Sequence, residues 1–316
     1  MKAIQIQAPR TVTIVDIPVP QVAEDEVLVK VSGCVTCPQW DITLFKGVDI
    51  LERPDCPKYP IPWGYPGHEM VGKIAAKGSK VTALEVGDRV ASLRNAGERL
   101  PGYYAEYINL PASYLTRIPD CVSDEAGASM EMARFVNSYV RLLGNLTGKR
   151  TGVTGCGPAG LIAVQLLRAA GAAEVVAVDI LPGRLEMAKK LGATDTVNSA
   201  TDQIAKITRN RFWASMDCSG VSAALQIAVD CTQGPVAVFG LPHGSITYGI
   251  KNVGTSLLVP YVDPDAEDTG RVIELWKSGK LNTADLASAR LPFSQYRRAV
   301  EMLMDRRAIK VFLYPD

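Results

Sequence analysis

Two textures divide the chain. Through the first 110 residues, apolar and polar positions alternate in short β-branched runs at 3–6, 11–15, 26–31, 70–75 and 89–92. A period of two predicts strands with one face buried. Proline and glycine punctuate these runs, notably at 18–20 and 57–66, and read as turns between strands. From about residue 126 the period changes. Helical spacing over 125–143, 158–170, 183–191 and 223–230 alternates with short apolar runs at 151–154, 174–178, 214–217 and 236–239. That alternation predicts βαβ units on a parallel sheet. Beyond about residue 267 come two helices (268–277, 293–305) and a strand over 310–314. The expected fold class is α/β, with a β-rich domain over 1–125, a doubly wound parallel sheet over 126–266, and a tail over 267–316.

A chain of 316 residues with 47% hydrophobic content can bury two cores. The net charge of +1, with Lys and Arg scattered, gives no footprint for nucleic acid or a membrane surface. The opening residues MKAIQIQAPR alternate like a strand rather than a signal peptide. No apolar run approaches the roughly 20 residues that span a bilayer. The expected location is the cytoplasm. Seven cysteines, an odd number spread widely, argue against a disulfide framework. Only Cys34 and Cys37, on a loop-like stretch, invite a chemical reading.

The segment Gly155-Cys156-Gly157-Pro158-Ala159-Gly160 fits G-x-G-x-x-G. Such a turn alone can simply join a strand to a helix. Here an apolar strand precedes it, a helix follows, and a second strand ends at Asp179, about 20 residues on. In this arrangement Gly155 permits the turn, Gly157 lets the main chain approach a pyrophosphate, and Gly160 lets helix and strand pack. The pyrophosphate then meets the positive helix end at Pro158 and Ala159. Asp179 would accept hydrogen bonds from a ribose and repel a 2′-phosphate, which favours NAD. Arg184, nearby, would soften that preference unless solvated. Cys218 and Ser219 after one strand, and Gly240, Leu241 and Pro242 after the next, are either further cofactor contacts or ordinary turns.

The chain has two histidines. His243 lies in the turn after the 236–239 strand. His68 stands beside Glu69, downstream of the Cys34/Cys37 pair. Catalytic zinc takes three protein ligands from Cys, His and carboxylate. Cys37, His68 and Glu69 supply those types, and Glu131, before a helix, is either a fourth candidate or a helix-end carboxylate. Trp40 and Trp63 either wall such a pocket or pack beside it.

These residues resemble the zinc-containing medium-chain dehydrogenases, which include alcohol, sorbitol and threonine dehydrogenases. The resemblance runs nearly end to end, through Gly67-His68-Glu69, Val86-Gly87-Asp88-Arg89-Val90, the G-x-x-A-E-Y segment at 102–107, the turn at 155–160, Leu191-Gly192-Ala193 and Leu291-Pro292-Phe293. It implies a GroES-like catalytic domain built from both ends of the chain and a Rossmann cofactor domain. It also implies NAD-linked hydride transfer at a zinc-bound alcohol or carbonyl substrate, in homodimers or homotetramers. Carried onto this sequence, Cys37 and His68 fit zinc ligands, and Glu69 fits the carboxylate at or behind the metal. Glu131 fits the Glu of the polyol-type members, and Lys310 a basic partner of Glu69. The expected substrate is therefore a secondary alcohol in a polyol, sugar or cyclitol.

Three features depart from the family pattern. The Asp that usually stands three residues after the zinc Cys is four away, at Asp41, which leaves Cys34 as an alternative ligand. The relay hydroxyl is missing from its usual place, where Gln39 cannot carry a proton, so Asp41, Thr43 or solvent must. The four-Cys structural lobe is absent from 92–101, so one catalytic zinc and no structural zinc is expected. Two rival readings are a zinc-free reductase of the same fold and a non-catalytic NAD-binding protein.

Overall fold

The period-two runs become strands that pair largely with sequence neighbours. The computed structural model describes residues 1–49, 56–94, 101–202, 204, 207, 211–241, 243–260 and 262–316. A hairpin of β1 (Lys2–Ala8) and β2 (Thr11–Asp16) opens the chain. The long strand β3 (Glu26–Val35) then runs past the predicted end at 31 and carries Cys34. At Gly33 the ring of Phe312 fills the place where a Cβ would stand, a close approach that only glycine permits.

Cys37 lies on the short link between β3 and a helix that the sequence did not predict. It is the N-cap of α1 (Pro38–Lys46), with proline in the first turn and Gly47 ending the helix at φ +82°. The first unit continues through β4 (Glu69–Lys77), β5 (Arg89–Ser92), β6 (Tyr107–Pro111), β7 (Leu115–Arg117) and α2 (Asp124–Ala128).

The helix expected over 125–143 is two helices. Ser123 caps α2 by accepting from the Ala126 amide at 3.3 Å, Ser129 ends it, and α3 (Met130–Leu142) follows. Next come β8 (Arg150–Thr154), α4 (Pro158–Ala169), β9 (Glu174–Asp179), α5 (Pro182–Lys190), β10 (Asp195–Asn198), β11 (Ala214–Asp217), α6 (Ser222–Cys231), β12 (Pro235–Val238), β13 (Ser256–Leu258) and α7 (Ala266–Lys277). The six strands are all parallel, in the order β10-β9-β8-β11-β12-β13. Strand order reverses between β8 and β11, the switch point where open α/β sheets take ligands.

The tail returns to the first unit as β14 (Ala287–Pro292), α8 (Tyr296–Met304) and β15 (Lys310–Tyr314). β15 pairs with β14 in parallel and with β3 antiparallel, Leu313 opposite Cys34. The sheet runs β14-β15-β3-β4-β5-β7, with β6 also on β3. On α8, Tyr296, Ala299, Val300 and Leu303 form one buried stripe at helical spacing.

The chain thus divides into one unit of Met1–Glu131 with Thr283–Asp316, and a second of Met132–Asn282. The second unit ends later than residue 266. Asn137 donates to Asp268 at 2.7 Å and Gln165 to the Asn282 carbonyl at 3.1 Å, which ties α7 and its continuation to α3 and α4. Among the described residues, no helix is long and apolar enough to cross a membrane.

Candidate active site

In the first unit, the cap of α1 and the start of β4 bring Cys37, His68 and Glu69 together. Their ligand-type atoms all lie within 4.8 Å of one another. His68 Nδ1 faces the Pro66 carbonyl at 2.8 Å, so a proton there leaves Nε2, 3.8 Å from Glu69 Oε1, as the coordinating nitrogen. Burial works against charging His68. The surrounding Glu131, Cys37 and Glu69 outweigh it and hold the imidazole well above its ordinary pKa.

Glu69 is almost fully enclosed. Its Oε1 accepts from Lys310 Nζ at 2.5 Å, and its Oε2 is buried with no hydrogen-bond partner. Lys310 also donates to the Thr36 carbonyl at 2.9 Å. A thiol, an imidazole and an orphaned carboxylate oxygen in one pocket form a donor set suited to zinc. Glu131 lies in the first turn of α3, buried. It is the strongest of the charges raising His68, yet it stands outside the three-residue cluster. Cys34 is not in the cluster. Its thiol points to the Tyr103 carbonyl at 3.2 Å in the core, and burial pushes its pKa well up.

Asp41 is fully buried and heavily engaged. It accepts from the Cys37 amide at 2.7 Å, from Tyr104 OH at 3.0 Å and from Tyr296 OH at 2.7 Å. Burial lifts its carboxyl to about 6, against the opposing pull of those three donors. Thr43, the other candidate proton carrier, donates its hydroxyl to the Gln39 carbonyl at 2.7 Å. Both side chains therefore serve α1 and its cap. Trp40 stacks edge-on with Tyr65, and with Trp63 packs against the core of this unit.

In the second unit, the turn after β8 has the form expected of a nucleotide cradle. Gly155 adopts φ +85°. A Cβ on Gly160 would collide with the Gly155 carbonyl, whereas one on Gly157 would meet nothing within 4 Å. The main chain at Gly157 is thus open to a phosphate, and Gly157 caps α4 ahead of Pro158 and Ala159 with no side-chain bond to the helix amides. Asp179, at the end of β9, accepts from the Cys156 amide at 2.7 Å and from the Leu181 amide at 2.9 Å. Arg184, in the first turn of α5, is close enough to offset part of the rise that burial and Asp179 impose on the Cys156 thiol.

Beyond β11, the loop of Cys218, Ser219 and Gly220 runs beside Gly240 and Leu241, and Val221 bridges His243. Pro242 lies outside the described residues. Sequence patterns missed Tyr104 and Tyr296 as partners of Asp41, and Thr154 as a partner of Asp217. Tyr104 and Tyr296 carry no local signal, since only the fold brings them to Asp41.

Two family models match the chain: the alcohol dehydrogenase GroES-like domain over residues 23–120, and the zinc-binding dehydrogenase model over 158–258. Between them they take in the metal cluster and the second half of the nucleotide turn, from Pro158. The chain belongs to the zinc-containing medium-chain dehydrogenases. This dehydrogenase is 29% identical to an L-threonine 3-dehydrogenase of Pectobacterium atrosepticum, over all of this chain and 94% of that one. Its fold superposes on galactitol-1-phosphate dehydrogenase from Escherichia coli with a TM-score of 0.86 at 25% identity, over 100% of both chains. An Escherichia coli oxidoreductase of unknown specificity gives 0.90 at 22% identity, over 100% of this chain and 99% of that one. The α/β architecture with a GroES-like domain is therefore the one the sequence predicts.

Proposed function

We propose that this oxidoreductase is NAD-dependent, holds one catalytic zinc, and interconverts a secondary alcohol of a polyol, sugar or cyclitol with its ketone. The observation that supports this most is the buried Cys37–His68–Glu69 cluster, whose neighbouring charge is the Glu131 carboxylate rather than a second thiolate. The names of its relatives, an L-threonine 3-dehydrogenase and a galactitol-1-phosphate dehydrogenase, support a small hydroxylated substrate. Asp179 at the end of β9 supports NAD over NADP. The segment 92–101 is too short for a four-Cys lobe, which supports a single zinc; residues 95–100 lie outside the described residues. The reading includes a cytoplasmic homodimer or homotetramer.

Bound zinc would supply Lewis acidity toward the substrate hydroxyl, and a bound nicotinamide would supply the hydride acceptor. Cys37 Sγ, His68 Nε2 and a carboxylate oxygen of Glu69 or Glu131 would hold the metal. Pro66 fixes the His68 tautomer, Asp41 anchors the Cys37 amide, and Lys310 restrains Glu69. The glycine turn and Asp179 would orient the dinucleotide. With Asp41 engaged by the Cys37 amide, Tyr104 and Tyr296, and Thr43 by the Gln39 carbonyl, the reading assigns the substrate proton to solvent rather than to a relay side chain.

A screen of polyols, sugars, cyclitols and primary alcohols, following absorbance of the reduced cofactor with and without a chelator, tests the reading. Turnover of secondary alcohols that is lost with zinc is expected. Activity on primary alcohols alone, or turnover by zinc-free protein, would contradict it.

A further inference from the structure

We propose that Asp217 is a positioning residue for the nicotinamide cofactor, tying together the three strand ends from which the nucleotide site is built. This rests on the reading that the second unit binds a nicotinamide dinucleotide. Asp217 is the last residue of β11 and is fully buried. Its Oδ1 accepts from Thr154 Oγ1 and from Ser219 Oγ, each at 2.8 Å. Thr154 ends β8 and immediately precedes the glycine turn. Ser219 lies directly under that turn, since a Cβ on Gly155 would come within 2.8 Å of the Ser219 Cα.

The main chain of Asp217 serves the third strand end. Its carbonyl accepts from the Phe239 amide at 2.8 Å and the Gly240 amide at 3.1 Å. One residue thus fixes the spacing between the Gly155 turn, the 218–220 loop and the Gly240 turn, where the strand order reverses.

A tie between two hydroxyls needs only one neutral acceptor. Asp217 instead carries a carboxylate whose Oδ2 is buried with no hydrogen-bond partner. Burying a carboxylate half-satisfied is unfavourable, and such groups concentrate at sites of function. The Ser219 and Gly220 amides are drawn toward this carboxylate, and they resist the rise that burial imposes on it. Through Oδ1 the two hydroxyls set the height of the 218–220 loop against the glycine turn. Mispositioning either changes the cradle without touching the metal cluster.

The test is fluorescence titration of NADH and NADPH into the full-length protein, metal-loaded and metal-stripped, for wild type, Asp217→Ala, Asp217→Asn, Ser219→Ala and Thr154→Val. Thermal unfolding and zinc content serve as controls. Asp217→Ala is expected to weaken NADH binding about tenfold or more, with substrate KM and zinc content within about twofold of wild type. Asp217→Asn, which keeps the Oδ1 acceptor, is expected to recover most of that loss, and Ser219→Ala to lose about threefold. Wild-type affinity in folded Asp217→Ala, or Asp217→Asn no better than Asp217→Ala, would overturn the proposal. Should Asp217→Ala not fold, wild-type affinity in both Ser219→Ala and Thr154→Val overturns it, and weakened binding in either supports it. Failure of the wild type to bind either nucleotide would instead remove the cofactor reading on which it rests.

Discussion

Lys310, near the end of the chain, donates to Glu69 at 2.5 Å in a pair that is 0% and 1% exposed. Breaking a buried pair from one side leaves a charge with no compensation, at a cost of about 3–5 kcal/mol. Lys310→Met is expected to lower the stability of the metal-free protein by that amount in denaturant titrations. Added zinc should narrow the gap, because a cation in the cluster replaces the missing positive partner of Glu69. Equal stability of metal-free Lys310→Met and wild type would show that Glu69 is not charged in the fold.

Replacing Cys37 tests the metal cluster directly. Cys37→Ser should retain little zinc after dialysis and lose about a thousandfold in turnover, the scale of several kcal/mol of Lewis-acid stabilisation. Elemental analysis with steady-state rates decides it. Full activity with zinc content unchanged would assign the metal elsewhere. Cys34→Ser, by contrast, removes only a core thiol bonded to the Tyr103 carbonyl and should keep its zinc.

The Asp179 carboxylate holds the Cys156 and Leu181 amides, and in the proposed reading it also meets the cofactor ribose. Asp179→Ala should weaken NAD binding about ten- to a hundredfold while weakening NADP binding less. The ratio of the two dissociation constants is the informative quantity. A ratio unmoved by the substitution would mean that Asp179 only shapes the turn.

The thiols offer a readout of the fold under mild conditions. Cys121 is exposed, whereas Cys34, Cys156 and Cys231 are buried. Burial, with Asp230 adding to it, pushes Cys231 to about 12, so at pH 8 only about one molecule in ten thousand carries the thiolate there. A thiol reagent at pH 8 should therefore modify Cys121 at once and the three buried cysteines only upon unfolding. Rapid loss of Cys156 in native protein would contradict the packing of the nucleotide turn.

The outer edge of the parallel sheet predicts association. Among the described residues β13 pairs only with β12, and Leu257, Val259 and Val253 around it are exposed at 36%, 67% and 68%. An uncovered apolar strand edge favours pairing with a second copy. Light scattering should give at least a dimer, and Val259→Lys should shift it toward monomer. A monomeric wild type would remove the idea.

The nucleotide half of the protein was legible because its signals are local. Strand, glycine turn, helix and Asp179 follow one another within about 30 residues, and each is dictated by its own backbone geometry. The metal half was legible in its ligands and obscure in its supports. Cys37 and His68 stand in short motifs, but Tyr104 and Tyr296 reach Asp41 only through the folded sheet and α8. The loop reading of 34–41 failed because α1 is a nine-residue helix beginning at proline, too short for periodicity to declare itself. β10, with the polar sequence Asp-Thr-Val-Asn, is a strand by virtue of its parallel neighbour β9 rather than its composition.

The pairing of β15 with β3 also has a consequence for the order of events during synthesis. Residues 132–282 form their unit from one continuous stretch, while the other unit is interrupted by it. On the ribosome, Glu69 and the open edge of β3 must therefore wait for Lys310 until the entire cofactor unit has been made. The nucleotide unit can be finished while the metal pocket still lacks its buried cation. Until then the edge of β3 that β15 will cover stays open.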